Sequence, residues 1–252
     1  CTCEEGKLSV VCPGAHLSAI PPGLPPFIRY LNLADNWISR IPNDTFLSLK
    51  NLTILKLSDN PIETIDKNGF IGLVSLKELR LTANKKLTSQ VLEDSLFGIA
   101  STLLPSLSNL ILDQMSFVLK NNSLKGLRGH PSLKFLDLSR NPNMCEMPDG
   151  TLSGLVIHTL DLNKCNCDTI NPKAFTGAKV TTLELEYNYL YTFPAFADFP
   201  ETLSFRRTIE NLNFEKNKVS KLSKSELKGF VALQKLNFVS NAFRSLESGD
   251  FE

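Results

Sequence analysis

The sequence lacks several features that would assign a function directly. It has no apolar run near the roughly 18 residues that a membrane-spanning helix needs, and the residues from Cys1 onward do not read as a basic-then-apolar leader. Its 27 basic residues nearly balance its 26 acidic ones, so the net charge of +1 gives no field that would attract nucleic acid. No glycine-rich phosphate loop is present, and the three histidines have no recognisable nucleophile beside them. These absences argue against a transmembrane chain, nucleic-acid binding and catalysis.

Cysteine is sparse and occurs as two groups of three, Cys1, Cys3 and Cys12 at the start, and Cys145, Cys165 and Cys167 beyond the middle. A terminal cluster of cysteines is typical of a disulfide-stapled segment in an oxidising compartment. Three N-glycosylation sequons, at Asn43, Asn51 and Asn121, agree with that interpretation. We therefore expect a secreted protein or a cell-surface ectodomain, with any membrane attachment in a segment outside this chain.

A short apolar pattern, LxxLxLxxN, recurs along the chain, first as IRYLNLADN at 28–36 and next as LTILKLSDN at 52–60. The chain contains nine copies in all, at intervals of 23 to 31 residues. Their terminal residues are Asn36, Asn60, Asn84, Met115, Asn141, Cys165, Asn188, Asn217 and Asn241. A period in the twenties indicates a solenoid, in which each repeat is one stacked structural unit.

Each position of the pattern has a structural role. Within LxL the side chains alternate, so the two leucines point inward and the residue between them points outward. Each copy is too short to close a core alone, so neighbouring copies stack and their strands join a parallel sheet. The turn after each strand buries backbone amides and carbonyls, which an asparagine side chain can satisfy because it carries both donors and an acceptor. The sequence therefore predicts an asparagine ladder through the stack.

These copies identify the chain as a member of the leucine-rich-repeat family, which it resembles over nearly its whole length. The resemblance implies an α/β solenoid, a leucine-rich-repeat horseshoe with a parallel concave β-sheet and an irregular or short-helical convex side. Recurrent apolar residues such as Phe46, Phe70, Phe175 and Phe251 would line the convex side of the core.

The opening CTCEEGKLSVVC resembles the cysteine-rich amino-terminal cap of extracellular leucine-rich-repeat proteins. The resemblance implies a cap over residues 1–27 and nine repeats over residues 28–252, the last incomplete and without a closing cap. Four cysteines in such a cap pair first with third and second with fourth. If the three present are the last three, the resemblance implies a Cys1–Cys12 bond and a Cys3 that has lost its partner. We expect KLSVV to form an antiparallel strand over the first repeat, and the chain to be a piece of a longer ectodomain or to cover its open edge by self-association.

Three copies depart from the regular pattern. Met115 cannot make an asparagine's hydrogen bonds and ends the longest interval, so we expect an irregularity with a short convex helix in SQVLEDSLFGIASTLL at 89–104. Cys165 occupies a ladder position as a weaker donor, a variant that the family tolerates. The copy that ends at Asn217 carries four phenylalanines, Phe193, Phe196, Phe199 and Phe205. These either fill the core beneath a longer loop or form a protruding apolar surface.

The second cysteine group allows more than one arrangement. Cys145 and Cys167 fall on neighbouring turns and can form a disulfide, which leaves Cys165 as a buried thiol. Tetrahedral zinc would need four ligands at spacings such as CxxC, and no histidine lies close in sequence. Three reduced core cysteines are the remaining arrangement. We expect no metal, no cofactor and no catalytic residue, and an enzyme would need a domain outside this chain.

The outward strand positions are the candidate binding surface, because the concave wall of a curved solenoid usually carries the ligand. The candidate ligand-binding residues are Tyr30, Lys56, Arg80, Phe135, Asp137, Asp161, Glu184, Glu186 and Glu215. Neighbouring carboxylates repel one another unless a cation relieves them, which favours a basic partner. Two other interpretations stay open: the charges only keep the sheet soluble, or the basic end of one copy pairs with the acidic end of another as a homodimer.

The irregular repeat lengths, the cysteine-rich cap and the convex phenylalanines resemble Toll-like receptor ectodomains, and the pattern is also similar to the variable lymphocyte receptors. Departures from a uniform interval of 24 residues favour the Toll-like form. The resemblance implies an extracellular pattern-recognition receptor of innate immunity that binds a protein or microbial ligand on its concave face. The alternative is a matrix or adhesion protein of the small-proteoglycan type that binds collagen or growth factors.

Overall fold

The computed structural model describes residues 1–4, 8–97, 103–116, 118–120, 123–142 and 144–244. The chain divides into two compact units: unit 1 is Cys1–Phe117 with Ser123–Asp137, and unit 2 is Val118–Asn122 with Leu138–Glu252. Three expectations lie outside the described residues: the sequon at Asn121, the convex Phe251 and the state of the Cys3 side chain. The predicted division into a cap over 1–27 and repeats over 28–252 stays a prediction.

Unit 1 is built on a sheet of short strands with two further strands on another side. The strands in chain order are β1 Thr2–Glu4, β2 Ser9–Val11, β3 Tyr30–Asn32, β4 Arg40–Ile41, β5 Ile54–Lys56, β6 Thr64–Ile65, β7 Glu78–Arg80, β8 Asn109–Ile111 and β9 Phe135–Asp137. The sheet order is β1-β2-β3-β5-β7-β8-β9, and every pairing from β2 onward is parallel. Strands β4 and β6 form a separate parallel pair. One strand per repeat, all parallel, is the arrangement that the repeat predicts.

The cap strand differs from the expectation in its direction. Strand β2 is antiparallel to β1, but it pairs in parallel with β3, the strand of the first repeat. Val10 is buried and lies beside Leu31 in this register. The cap therefore continues the parallel sheet by one strand, with Val10 in line with the buried leucines of the repeats.

Short helices and turns cover the side of unit 1 opposite its sheet. Helix α1, Ser89–Leu92, begins at Thr88, whose side chain accepts a hydrogen bond from Val91 N, and a π-helix follows over Glu93–Phe97. A 3-10 helix spans Lys125–Leu127. The long copy that ends at Met115 thus contains the short helix expected there, as far as residues 89–97 describe it.

Unit 2 repeats the same plan with longer strands and more 3-10 turns. Its strands are β10 Val156–Asp161, β11 Lys179–Glu184, β12 Asn211–Asn213 and β13 Lys235–Asn237, paired in parallel in that order. Its helices are 3-10 turns at Met144–Glu146, Pro172–Phe175, Phe196–Asp198, Pro200–Thr202 and Lys224–Leu227, and α2 at Leu203–Thr208. Both units therefore confirm the predicted leucine-rich-repeat solenoid.

The phenylalanines of the long copy in unit 2 were expected either to fill the core or to form a protruding surface. Phe193, Phe196 and Phe205 are buried, and Phe196 packs edge-on against Phe175 with ring centroids 5.3 Å apart. Phe199 is half-buried beneath the Lys173 ammonium, which lies 4.9 Å from the ring centroid. These rings fill the core beneath the longer loop and do not form a protruding surface.

The asparagines form the predicted ladder. Asn60 shows its pattern: Nδ2 donates to Leu33 O of the preceding coil at 2.9 Å and to Leu57 O of its own coil at 3.1 Å, while Oδ1 accepts from Ile38 N at 3.0 Å. The same three kinds of bond occur at Asn36, Asn188, Asn217 and Asn241. Asn36, Asn60, Asn188 and Asn217 are all buried. Each side chain satisfies backbone groups that water cannot reach, so the ladder ties consecutive coils together.

The ladder is less complete where it approaches the irregular copy of unit 1. Asn84 Nδ2 donates to Leu57 O and Leu81 O, but Asn84 Oδ1 is a buried atom without a hydrogen bond among the described residues. Met115 fills the next ladder position with a fully buried apolar side chain. The amide ladder is thus interrupted at the copy whose length and sequence both depart from the pattern.

Candidate functional site

Each of the nine LxxLxLxxN copies ends in a turn with an unusual backbone conformation. The residue just before each ladder position has a positive φ between 54° and 60°. These residues are Asp35, Asp59, Ala83, Gln114, Arg140, Lys164, Tyr187, Lys216 and Ser240. A left-handed conformation costs a residue with a side chain roughly 1 kcal/mol, and the hydrogen bonds of the ladder offset it. The turn therefore places one outward side chain per coil at a fixed point beside the sheet.

In unit 1, the parallel register collects the outward strand residues into two rows. One row contains Tyr30, Ile54, Glu78, Asn109 and Phe135. The other contains Asn32, Lys56, Arg80, Ile111 and Asp137. Because side chains of a strand alternate between faces, both rows lie on the face that points away from the core. We call these two rows the unit 1 strand face.

The unit 1 strand face mixes apolar groups with cations. Lys56 Nζ lies 5.3 Å from the centroid of the Tyr30 ring. Arg80 Nε donates to Glu78 Oε1 at 2.6 Å, while the Arg80 side chain stays 42% exposed. Phe135 is half-buried at the end of the first row. Half-exposed rings beside partly exposed cations give this face both apolar contact area and hydrogen-bond donors.

In unit 2, the corresponding rows are polar and bond to one another. The register brings Asp161, Glu184, Asn213 and Asn237 into one row. Asn213 Nδ2 donates to Glu184 Oε2 at 2.7 Å, and Asn237 Nδ2 donates to Asn213 Oδ1 at 3.0 Å. Asp161 Oδ1 accepts from Asn163 N at 2.9 Å. The carboxylates of this row therefore have donors within the chain.

A lysine neutralises the acidic residues nearest the end of these strands. Lys216 Nζ lies 2.7 Å from Glu215 Oε1 and 3.2 Å from Glu186 Oε1. The hydrogen bond from Lys216, with a second from Asn237, lowers the pKa of Glu215 below its usual range. In turn, hydrogen bonds to Glu215 and Tyr187 raise the pKa of Lys216, so both groups stay ionised at neutral pH. The clustered carboxylates suggested a cationic partner, but Lys216 of the chain itself places a cation beside them.

The predicted ligand residues thus fall into two sets, each described within its own unit. Tyr30, Lys56, Arg80, Phe135 and Asp137 share the outward face of the unit 1 sheet. Asp161 and Glu184 are neighbours in the unit 2 register, and Glu186 and Glu215 are bridged by Lys216. Their role in ligand binding, the basic character of the partner and homodimer formation all stay predictions.

The cysteines form two bonds among the described residues. Cys1 is bonded to Cys12, with Cα atoms 4.1 Å apart, and Cys145 is bonded to Cys167, with Cα atoms 5.6 Å apart. Cys165 is buried in its ladder position, and its Sγ donates to Leu138 O of the preceding coil at 3.5 Å. Its thiol thus makes, at a longer distance, the bond that an asparagine Nδ2 makes elsewhere in the ladder.

Asn43 and Asn51 are exposed, and their glycosylation stays a prediction. Within the described ranges, no group of three or more histidine, cysteine, aspartate or glutamate side chains is arranged to hold a metal ion. Of the helices in those same ranges, none has the length and apolarity to cross a membrane.

One exposed cluster was not predicted from the sequence. Tyr187, Tyr189 and Tyr191 are 46%, 47% and 56% exposed, and lysine ammonium groups lie on their rings. The signal was present as YNYLY at 187–191, in which tyrosines alternate with the buried Asn188 and Leu190. It was hidden because the lysines come from other coils, and only the stacking of coils brings them to the rings.

Comparisons with known proteins agree with this architecture. A family model described as leucine rich repeat matches residues 26–85. Human leucine-rich repeat-containing protein 4 is 43% identical over 56 residues, which are 22% of this chain and 9% of that protein. Keratocan of the chicken Gallus gallus is 26% identical over 215 residues, which are 84% of this chain and 48% of keratocan. The chain therefore spans less than half the length of these relatives.

Among solved structures, the fold is similar to a chain in the complex of Toll with Spatzle, described as a molecular hub in Drosophila development and innate immunity. The TM-score is 0.68 at 18% sequence identity, over 85% of this chain and 27% of the other. The chain therefore contains leucine-rich repeats, and its solenoid fold is similar to that of a chain in the Toll–Spatzle complex.

Proposed function

We propose that this chain is the ligand-recognising part of a Toll-like receptor of innate immunity and that it binds a secreted protein through the unit 1 strand face. The observation that carries the proposal is the register of β3, β5, β7, β8 and β9. It lines up Tyr30, Ile54 and Phe135 in one row, beside Lys56 and Arg80 in the next.

Such a face has the chemistry of a protein interface. Aromatic side chains and arginine supply most of the binding energy in protein complexes, and they do so where they can be fully desolvated by the partner. Phe135 and Tyr30 are half-exposed, so a partner can bury the rest of each ring. The acidic rows of unit 2 offer a partner fewer groups to bind, because Lys216, Asn213 and Asn237 already bond to their carboxylates.

The similarity to Toll suggests the first ligand to try. The structure with a similar fold is a complex of Toll with Spatzle, so a protein ligand is known for that architecture. Spatzle itself is therefore the first probe, and on this proposal it would place an apolar surface against the rings and hydrogen-bond acceptors at Lys56 and Arg80.

The test measures Spatzle binding to the glycosylated, secreted chain by biolayer interferometry, with Phe135→Ala as the variant. Losing an aromatic contact that the partner desolvates should weaken binding about tenfold or more. Val74→Ala is the matched control, because Val74 is also an apolar residue of unit 1, is 47% exposed and lies outside the strands. The proposal for this face fails if Phe135→Ala binds as the wild type does, or if both variants lose affinity equally.

A matrix or adhesion role is the second candidate, favoured by the match to keratocan over 84% of this chain. Fibrillar type I collagen tests it in the same format. Binding to collagen, with no binding to Spatzle, would replace the receptor proposal by the matrix one. Phe135→Ala would then show whether collagen uses the same face.

A further inference from the structure

We propose that unit 2 carries a second interaction surface, which binds an acidic segment of a partner protein. It consists of Tyr187, Tyr189, Tyr191, Lys164, Lys216 and Lys218, which we call the tyrosine–lysine patch. The proposal goes beyond ligand binding by the unit 1 strand face and does not depend on it.

The ladder is what exposes the three tyrosines together. Asn188 is buried to bond the preceding coil and Leu190 is buried in the core, so residues 187, 189 and 191 alternate outward. Tyr187 stands at the left-handed position with φ 55°, and this fixes the direction in which the segment leaves the sheet. Three large rings are thereby held about half-exposed on a segment whose backbone is anchored. A partner that contacts them therefore loses little binding free energy to ordering this segment.

Lysines from the neighbouring coils lie against these rings. Lys164 and Lys216 occupy the same left-handed position in the coils before and after Tyr187, and their Nζ atoms lie 4.7 Å and 4.2 Å from its ring centroid. Lys218 Nζ lies 4.7 Å from the Tyr189 centroid and 4.8 Å from that of Tyr191, and it donates to the Tyr191 hydroxyl at 3.0 Å. Cation–π contacts at these distances hold the ammonium groups in place without neutralising them.

The charges of the patch are only partly compensated. Lys216 is paired with Glu186 and Glu215. Lys164 and Lys218, in contrast, have no carboxylate oxygen within ion-pair distance among the described residues. Two exposed ammonium groups, each fixed on a tyrosine ring, therefore remain for an anionic partner.

Two features favour an acidic protein segment over a sulfated glycan. Ammonium groups already lie on the ring of each tyrosine. A sugar, which would need an open ring face to stack on, therefore finds little of it free. Glu186 and Glu215 lie at the same patch and would repel a continuous polyanion. A protein segment can place single carboxylates at Lys164 and Lys218 and apolar groups against the tyrosine edges, which are common contacts in protein interfaces.

The test uses a fluorescein-labelled peptide of alternating glutamate and glycine, with a matched peptide in which glutamine replaces glutamate. Fluorescence anisotropy at low salt measures both, since the attraction between exposed charges is screened by salt. The variant is Lys164→Gln/Lys218→Gln. Lys179→Gln/Lys221→Gln is the control with the same loss of charge, because Lys179 and Lys221 are exposed in unit 2 but outside the patch.

The glutamate peptide should bind better than the glutamine peptide, and the patch variant should lower its affinity about fivefold, as expected for two exposed charge pairs. The control should change the affinity less than twofold by the same reasoning. Lys164→Arg/Lys218→Arg should retain binding, because arginine keeps both charges and can also stack on the rings.

Three results would overturn the proposal. The first is an equal loss in the patch variant and the control, which would mean that only net charge matters. The second is binding of heparin through Lys164 and Lys218 with no binding of the glutamate peptide, which would make the partner a glycan. The third is a dimer in sedimentation velocity that the patch variant abolishes without any peptide binding, which would assign the patch to self-association.

Discussion

Units 1 and 2 are built from the same coil but use their outward strand positions in different ways. In unit 1 those positions expose Tyr30, Ile54 and Phe135 next to two cations, one of which, Lys56, lies over the Tyr30 ring of the neighbouring strand. In unit 2 they are asparagines and glutamates that bond across neighbouring strands, as Asn213 does to Glu184. The buried half of the repeat sets the coil in both units, so the outward half can vary with function.

The largest expected effect is on stability, and it tests whether the asparagine ladder stabilises both units to the same extent. Asn60→Ala in unit 1 and Asn188→Ala in unit 2 each remove an amide with partners in two coils. Since each buried backbone group left unbonded costs about 1–3 kcal/mol, either change should lower the free energy of unfolding by about 5 kcal/mol. Urea denaturation followed by circular dichroism measures both.

Asn109→Ala is the control for the ladder variants, because Asn109 lies in a strand but is only half-buried and points outward. Its change should stay within about 1 kcal/mol. If one ladder variant were as stable as the control, the two units would not share the same structural support.

The sequence predicted the buried half of the repeat because that half is local. The spacing of Leu31, Leu33 and Asn36 fixes strand, turn and ladder within nine residues, and the parallel sheet follows from stacking. The pairing of Cys145 with Cys167 was one of the arrangements left open, since the two lie on adjacent turns.

The outward half could be predicted only as a set of positions, because its properties depend on residues far apart in sequence. The acidic residues Glu186 and Glu215 suggested a basic partner, but Lys216, which follows Glu215 in the chain, also reaches Glu186 of the preceding coil. The tyrosines at 187–191 escaped notice because their lysines come from two other coils. The left-handed turn residues escaped as well, since residues as different as Ala83 and Tyr187 occupy the position.

The second, smaller effect is the loss of stability when a buried phenylalanine ring is removed, which should differ between the two units. Phe196 in unit 2 lies within 6.2 Å, centroid to centroid, of four other rings, those of Phe175, Phe193, Phe205 and Phe230. Phe46 in unit 1 lies 6.3 Å from Phe70. Leucine keeps most of the buried volume and removes the ring contacts, which are worth about 0.5–1.5 kcal/mol each.

We therefore expect Phe196→Leu to lower the free energy of unfolding by about 3 kcal/mol and Phe46→Leu by about 1 kcal/mol. Both residues are fully buried, so each variant is the other's control for loss of apolar area. Equal losses in urea denaturation would mean that burial alone, and not the ring cluster, stabilises the long copy of unit 2.

The smallest effect concerns the charged network that distinguishes the outward face of unit 2. The hydrogen bond from Lys216, with that from Asn237, lowers the pKa of Glu215 in the folded state below the unfolded value of about 4.3. A carboxyl whose pKa is lowered by folding adds stability above the unfolded pKa and loses it as the pH falls through the folded pKa. Lys216 itself, whose pKa is raised, stays charged in both states throughout this acidic range, so it adds no pH dependence there.

Lys216→Met should therefore lower the urea midpoint slightly at neutral pH, and the difference from the wild type should shrink as the pH falls below about 4. The change should be smaller than that of any ladder or ring variant, because water screens these exposed groups. Lys221→Met is the control, since Lys221 is exposed in the same unit and no carboxylate of the described residues lies within ion-pair distance of it. If the two lysine variants followed the same pH profile, the outward face of unit 2 would not be held together by Lys216, and Glu186 and Glu215 would again be open to a basic partner.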